Sequence, residues 1–112
     1  MKKLLVPLLF IPISVIAGTS KNSEVIEVEQ RDDGVVKVQV VHGTYADLPN
    51  CSYSGGTFLF DGNTSVGKSM LSISISALMS GKKVNILSTT CYSFSSNPDT
   101  QLGKLERISV VK

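Results

Sequence analysis

The chain has 112 residues, 42% of them hydrophobic, with 11 Lys and Arg against 9 Asp and Glu and a formal charge of +2. One domain is the prior at this length. The small positive surplus equals the contribution of Lys2 and Lys3 alone, so the body of the chain lacks the clustered basic charge that a nucleic-acid surface needs.

After Lys2 and Lys3 comes an apolar run from Leu4 to Ile16, with Ser14 its only hydroxyl, and then Val15, Ala17 and Gly18 at small-residue positions. Positive start, apolar middle and small-residue cut form the pattern of a secretory signal. A membrane anchor is the other reading, but the run is short for a bilayer and Pro7 and Pro12 interrupt it. The expectation is a cleaved signal over residues 1–17, a single domain over 18–112, and a periplasmic or secreted product with no membrane span after cleavage. No cysteine stands directly after the cut, where Gly18 lies, which argues against a lipid-anchored form.

The body of the chain has two cysteines, Cys51 and Cys91. In an oxidising compartment two thiols usually pair. Closing a loop of about 40 residues would stabilise a small domain by about 4 kcal/mol in the chain-entropy account. Free or metal-bound thiols are the alternative. With His42 the only histidine and no zinc-like spacing, the ligand set is thin, and no metal or other cofactor is expected.

Glu24 to Glu29 (EVIEVE) mixes β-branched residues with acids, placing Ile26 and Val28 on one side and Val25, Glu27 and Glu29 on the other. Asp33-Gly34 is a turn signal. Val36, Val38 and Val40 then alternate with Lys37 and Gln39, so the two runs read as a β-hairpin with one buried face. His42 to Gly56 is loop by its Gly, Pro and Asn content. Thr57 to Phe60 is a third strand, with Phe58 and Phe60 sharing a face and Leu59 on the other.

Ser69 to Ser80 (SMLSISISALMS) admits two periods. Its length and the Gly81-Lys82-Lys83 stop favour a helix, with Leu71, Ile75, Leu78 and Met79 on one face and Met70, Ile73 and Ala77 beside them. Lys83 to Leu87 is a fourth strand with Val84 and Ile86 inward. Ser88 to Gly103 is a second long loop. Leu105 to Val111 is a fifth strand with Ile108 and Val110 on one face. Strand, strand, strand, helix, strand, strand is the order of a five-stranded OB-like barrel. An open meander with the helix across one face is the competing architecture.

Gly62, Gly67, Lys68 and Ser69 match the phosphate-binding pattern G-x4-G-K-S. In such a loop, backbone N–H groups wrap the phosphates and the lysine reaches the outer ones. Three points oppose that function. The chain reads as exported. The strand from Val84 to Leu87 has no carboxylate at its end to hold magnesium. Too few residues remain for a parallel sheet with several crossovers. A plain strand-to-helix loop with a solvated lysine is the expected reading.

His42 has no nucleophile elbow to serve, and no enzymatic activity is expected. Tyr45, Tyr53, Tyr92 and Phe94 lie in the two long loops, where aromatic rings stack on sugars, fill a protein interface or simply cover the ends of a barrel. Glu24, Glu27, Glu29, Asp32 and Asp33 gather at the first hairpin and read as a solvated edge.

From Gly67 to Val84 the run GKSMLSISISALMSGKKV, followed by Cys91 and preceded by Cys51, resembles small exported bacterial proteins related to the OB-fold B subunits of subtilase-type and pertussis-type toxins. The closing strand from Leu105 to Val111 fits the same pattern. The resemblance implies a barrel, a Cys51–Cys91 bridge and a homo-oligomeric ring with glycan binding, although no sugar-binding motif transfers residue by residue. The functional expectation is therefore a non-enzymatic, exported, disulfide-linked binding module for a glycan or a protein. A periplasmic interaction or inhibitor protein with no small-molecule ligand is the alternative, and a nucleotide-binding protein the remote one.

Overall fold

The computed structural model describes residues 18–46, 48, 51, 56–94 and 97–112, without the side chains of 93, 94 and 97–101. Tyr53 and the expected signal over 1–17 lie outside the described residues, as does the side chain of Phe94. The chain is mainly β with a single described helix. In order the elements are β1 (Thr19–Gln30), β2 (Val35–Val41), β3 (Thr44–Ala46), β4 (Thr57–Asp61), α1 (Ser65–Ser80), β5 (Lys83–Leu87), β6 (Cys91–Phe94), β7 (Asn97–Lys104) and β8 (Arg107–Val110).

The strands form one eight-stranded sheet in the order β6-β7-β4-β2-β1-β5-β8, with β3 attached to β1. The pairings are antiparallel except β4 with β7, which is parallel. The sheet curls into a half-barrel. Only Leu105 and Glu106 separate β7 from β8, yet their consecutive amides donate to carbonyls on different strands. Leu105 N–H bonds Leu59 O of β4 at 2.8 Å, and Glu106 N–H bonds Leu87 O of β5 at 3.0 Å.

Among the described residues eight strands replace the five expected. The additional strands β3, β6 and β7 fall in the two stretches whose composition reads as loop. Backbone pairing with β1 and β4, rather than side-chain alternation, makes them strands.

The valine alternation of β2 is as expected. Val36, Val38 and Val40 are buried with Phe58, Phe60, Val84, Ile86, Leu105, Ile108, Val25 and Ala77 in one cluster. Each of these side chains larger than Ala77 contributes about 1.5–3 kcal/mol relative to exposure. β1 departs from its expected facing. Val25 is buried and Ile26 is 47% exposed, because the register with β2 shifts between Val25 and Glu27. Ile26 is the extra residue of a β-bulge, which returns Val28 to the core side. On β8, Ile108 is buried but Val110 is 42% exposed.

The helix starts four residues before the expected Ser69 and stops at Gly81, whose φ of 74° and N–H to Ala77 O close it. It packs on β1 and β8. Its buried residues are Gly67, Ser74 and Ala77, with Met70, Leu71 and Ile73 partly buried against the core. The expected apolar face is not the buried one: Ile75, Leu78 and Met79 are exposed. Small residues occupy the closest approach instead. A side chain on Gly67 would collide with Asp61 O, and Ser74 satisfies its hydroxyl on Met70 O at 2.7 Å.

Candidate binding face and its aromatic residue

Cys51 and Cys91 are bonded, with their Cα atoms 5.8 Å apart and a sequence separation of 40. The bridge ties the connection before β4 to the first residue of β6. It fits an oxidising, extracytoplasmic environment.

The residue after the bridge, Tyr92, stands opposite Leu102 of β7. Residues opposite one another across a ladder share a face, and side chains alternate along a strand. Leu59 is opposite both Lys37 and Lys104, and Lys37 is opposite Glu29. The register therefore places Glu29, Lys37, Leu59, Asp61, Lys104, Leu102 and Tyr92 on the outer face, away from Phe58 and Phe60. Leu59 and Leu102 are buried there and Tyr92 is half-buried.

The electrostatics of this face are mixed. Lys37 Nζ lies 3.3 Å from Glu27 Oε1 and 3.3 Å from Glu29 Oε1. Burial lowers the Lys37 pKa, but hydrogen bonds and charge from Glu29 and Glu27 outweigh it and leave the pKa raised. The Tyr92 phenol is also pushed up, by burial first and then by the negative charges of Asp61 and Asp33. Tyr92 thus sits in the field of two carboxylates from two different turns.

Those turns are bolted together. Val35 N–H bonds Asp33 Oδ1 at 3.0 Å and Asn63 N–H bonds Asp61 Oδ1 at 2.9 Å, the same Asx arrangement twice. Asn63 Nδ2 then reaches Asp33 O at 3.2 Å, and Gly62 N–H reaches Gly34 O at 2.9 Å. Asp61 was not among the residues the sequence singled out. The repeated Asp-Gly pair, Asp33-Gly34 and Asp61-Gly62, is the signal that marks both turns. Beside Asp61 a cleft of about 370 Å³ opens, lined by Phe60, Val66, Met70 and Leu105 together with Asp61, Lys104 and Glu106.

The other sequence candidates fall elsewhere. Tyr45 is 44% exposed on β3, opposite Ser20 of β1. In the strand order it is separated from β6 by β1, β2, β4 and β7, so Tyr45 and Tyr92 do not form one platform. Phe94 is the last residue of β6. His42 is exposed with φ 60°, its Nδ1 3.4 Å from Glu24 Oε1.

Gly62, Gly67, Lys68 and Ser69 lie on the turn into α1 and its first turns. Four of the amides there are engaged within the protein. Gly67 N–H bonds the N-cap hydroxyl of Thr64 at 2.8 Å, Lys68 N–H bonds Thr64 O at 2.9 Å, and Gly62 and Asn63 bond the turns described above. A phosphate cradle requires these donors to point at the ligand; here they cap a helix and join two turns.

Among the described residues no cluster of His, Cys, Asp and Glu is arranged to hold a metal ion, and no helix is long and apolar enough to cross a membrane. Comparison with protein-family models, curated proteins and solved structures finds no match to this chain.

Proposed function

We propose that the protein is an exported, non-enzymatic binding module that holds a glycan on the outer face of β2, β4, β7 and β6, around Tyr92. The observation that carries this reading is the placement of Tyr92 on a face shared with Lys37 and Asp61, within the charge of Asp61 and Asp33. An aromatic ring stacks on the C–H face of a sugar while carboxylates and an ammonium take its hydroxyls.

The barrel reading supports the same face. Take β1, β2, β4, β5 and β8 as the five strands of an OB-like barrel. α1 then falls between the third and fourth, as that fold has it. The second and third strands are β2 and β4. The first loop is the Arg31 to Gly34 turn, and the last loop carries β6 and β7. The face of strands two and three with these two loops is where OB barrels take oligosaccharides. The likeness to toxin B subunits and a homo-oligomeric, periplasmic or secreted state with residues 1–17 removed belong to this proposal.

A second reading is an interaction or inhibitor protein with a protein partner. The exposed apolar side chains Ile75, Leu78 and Met79 along α1 favour it. A glycan array probed with the purified protein and with Tyr92→Ala separates the two. Sugar binding that is lost in the variant supports the glycan site; no reproducible sugar binding by the unmodified protein favours the protein partner.

A further inference from the structure

A second groove lies on a different part of the outer surface, across β1, β5 and β8. It encloses about 180 Å³ and is lined by Thr19, Lys21, Asn85, Leu87, Arg107 and Ser109. Register explains the grouping. Thr19, Leu87 and Arg107 stand opposite one another across the three strands, as do Asn85 and Ser109 in the next outward row. Lys21 joins that row because the β1–β5 register shifts between Ser20 and Ser23.

The shift is fixed by a specific contact. Asn22 has φ 54°, a left-handed conformation, and its N–H donates to Asn85 Oδ1 at 2.9 Å. That bond turns Oδ1 of Asn85 toward β1 and leaves its Nδ2 donors for the groove. Thr19 and Ser109 add hydroxyls, and half-buried Leu87 gives an apolar floor. Among the described residues no carboxylate lines the groove. Among the described residues neither Lys21 nor Arg107 has an ion-pair partner. Two cations, an amide and two hydroxyls converge on one concavity. Meanwhile Glu29, Asp32 and Asp33 gather around a different hollow at the β1–β2 turn.

We propose that this groove binds a small hydroxylated ligand bearing one oxyanion, the carboxylate or sulfate of an acidic sugar unit. Arg107 forks onto the oxyanion and Lys21 adds a point charge. Asn85, Thr19 and Ser109 take neighbouring hydroxyls, and Leu87 supports the carbon face of the ring. The groove is independent of the Tyr92 face and stands whether or not that face binds sugar.

The test is a titration of the isotope-labelled protein, followed through its backbone amide resonances, with glucuronate, glucose 6-sulfate and glucose. Either charged sugar is expected to shift the amides of Asn85, Leu87 and Arg107, while glucose at the same concentration leaves them in place. Arg107→Ala and Lys21→Ala each weaken the charged sugar's binding at least tenfold. Both cations are exposed, so the spectra of the variants report directly that the fold persists. Shifts of equal size with all three sugars, shifts with none, or shifts that survive the Arg107→Ala/Lys21→Ala double variant overturn the proposal.

Discussion

Phe58 of β4 and Gly103 of β7 stand opposite each other in the parallel pairing that curls the sheet. A methyl group placed on Gly103 would come within 3.0 Å of Phe58 Cδ1 and 3.0 Å of Ser88 Oγ. Both neighbours are fully buried, so neither yields easily. Gly103→Val is expected to destabilise the protein by about 1–3 kcal/mol through overpacking. Urea unfolding followed by circular dichroism measures it. An unchanged midpoint would mean that β4 and β7 are not in close contact.

The Cys51–Cys91 bridge closes 40 positions of chain. Replacing both cysteines with serine is expected to remove about 4 kcal/mol of stability in the chain-entropy account. In a domain whose total is on the order of 5–15 kcal/mol, that is a large fall. Thermal unfolding of the oxidised protein and the double variant checks it. Equal melting temperatures would show that the bridge does not constrain the unfolded chain.

Glu106 is the anchor of the turn after β5. Thr89 N–H and Thr90 N–H donate to its Oε2 at 3.0 and 3.2 Å, and the hydroxyls of Thr89 and Thr90 reach the same carboxylate. Burial pushes the Glu106 pKa up, but these hydrogen bonds outweigh it and hold the pKa below the ordinary 4.5. A lowered folded-state pKa stabilises fully above the unfolded value, and that stabilisation is lost as pH falls through the folded value. Glu106→Gln is expected to lower stability by about 1–2 kcal/mol at neutral pH. The gap between the two proteins should close as the pH drops below 4.5. Denaturation across a pH series reads both effects, and a gap independent of pH would contradict the charged hydrogen bonds.

Thr64 and Lys68 separate a structural role from a phosphate-binding one. Thr64 Oγ1 accepts the Gly67 amide at 2.8 Å as the helix N-cap, so Thr64→Ala is expected to cost about 1 kcal/mol. Lys68 is exposed, and Lys68→Ala is expected to change stability by less than about 0.5 kcal/mol. Neither the unmodified protein nor the variant is expected to retain a fluorescent ATP analogue. Retention that disappears with Lys68→Ala would reinstate the phosphate loop.

The parts of the fold legible in the sequence are those where side-chain chemistry repeats with the period of the backbone. Val36, Val38 and Val40 declare β2, and Gly81 declares the end of α1. β6 and β7 are illegible because their Ser, Thr, Asn and Pro content carries no alternation, and only the partner strands and the bridge at Cys91 make them extended. The facing of α1 is misread because burial there follows closeness rather than apolarity. Gly67, Ser74 and Ala77 are small enough to approach the sheet, and the larger Ile75 and Met79 are left outside. Ile26 is misplaced because a single bulge reverses the pattern. At the candidate site Tyr92 is visible as an aromatic in a polar stretch. Asp61 is not, because its partner Asn63 meets the Asp33 turn only after β2 and β4 pair.

A glycan array of neutral sugars, probed with the unmodified protein and with Tyr92→Ala, decides whether Tyr92 holds a sugar. Reproducible binding to a set of neutral glycans is expected, falling at least tenfold in the variant with the fold unchanged by circular dichroism. Binding that is equal in the two proteins, or absent from both, would contradict a sugar site at Tyr92.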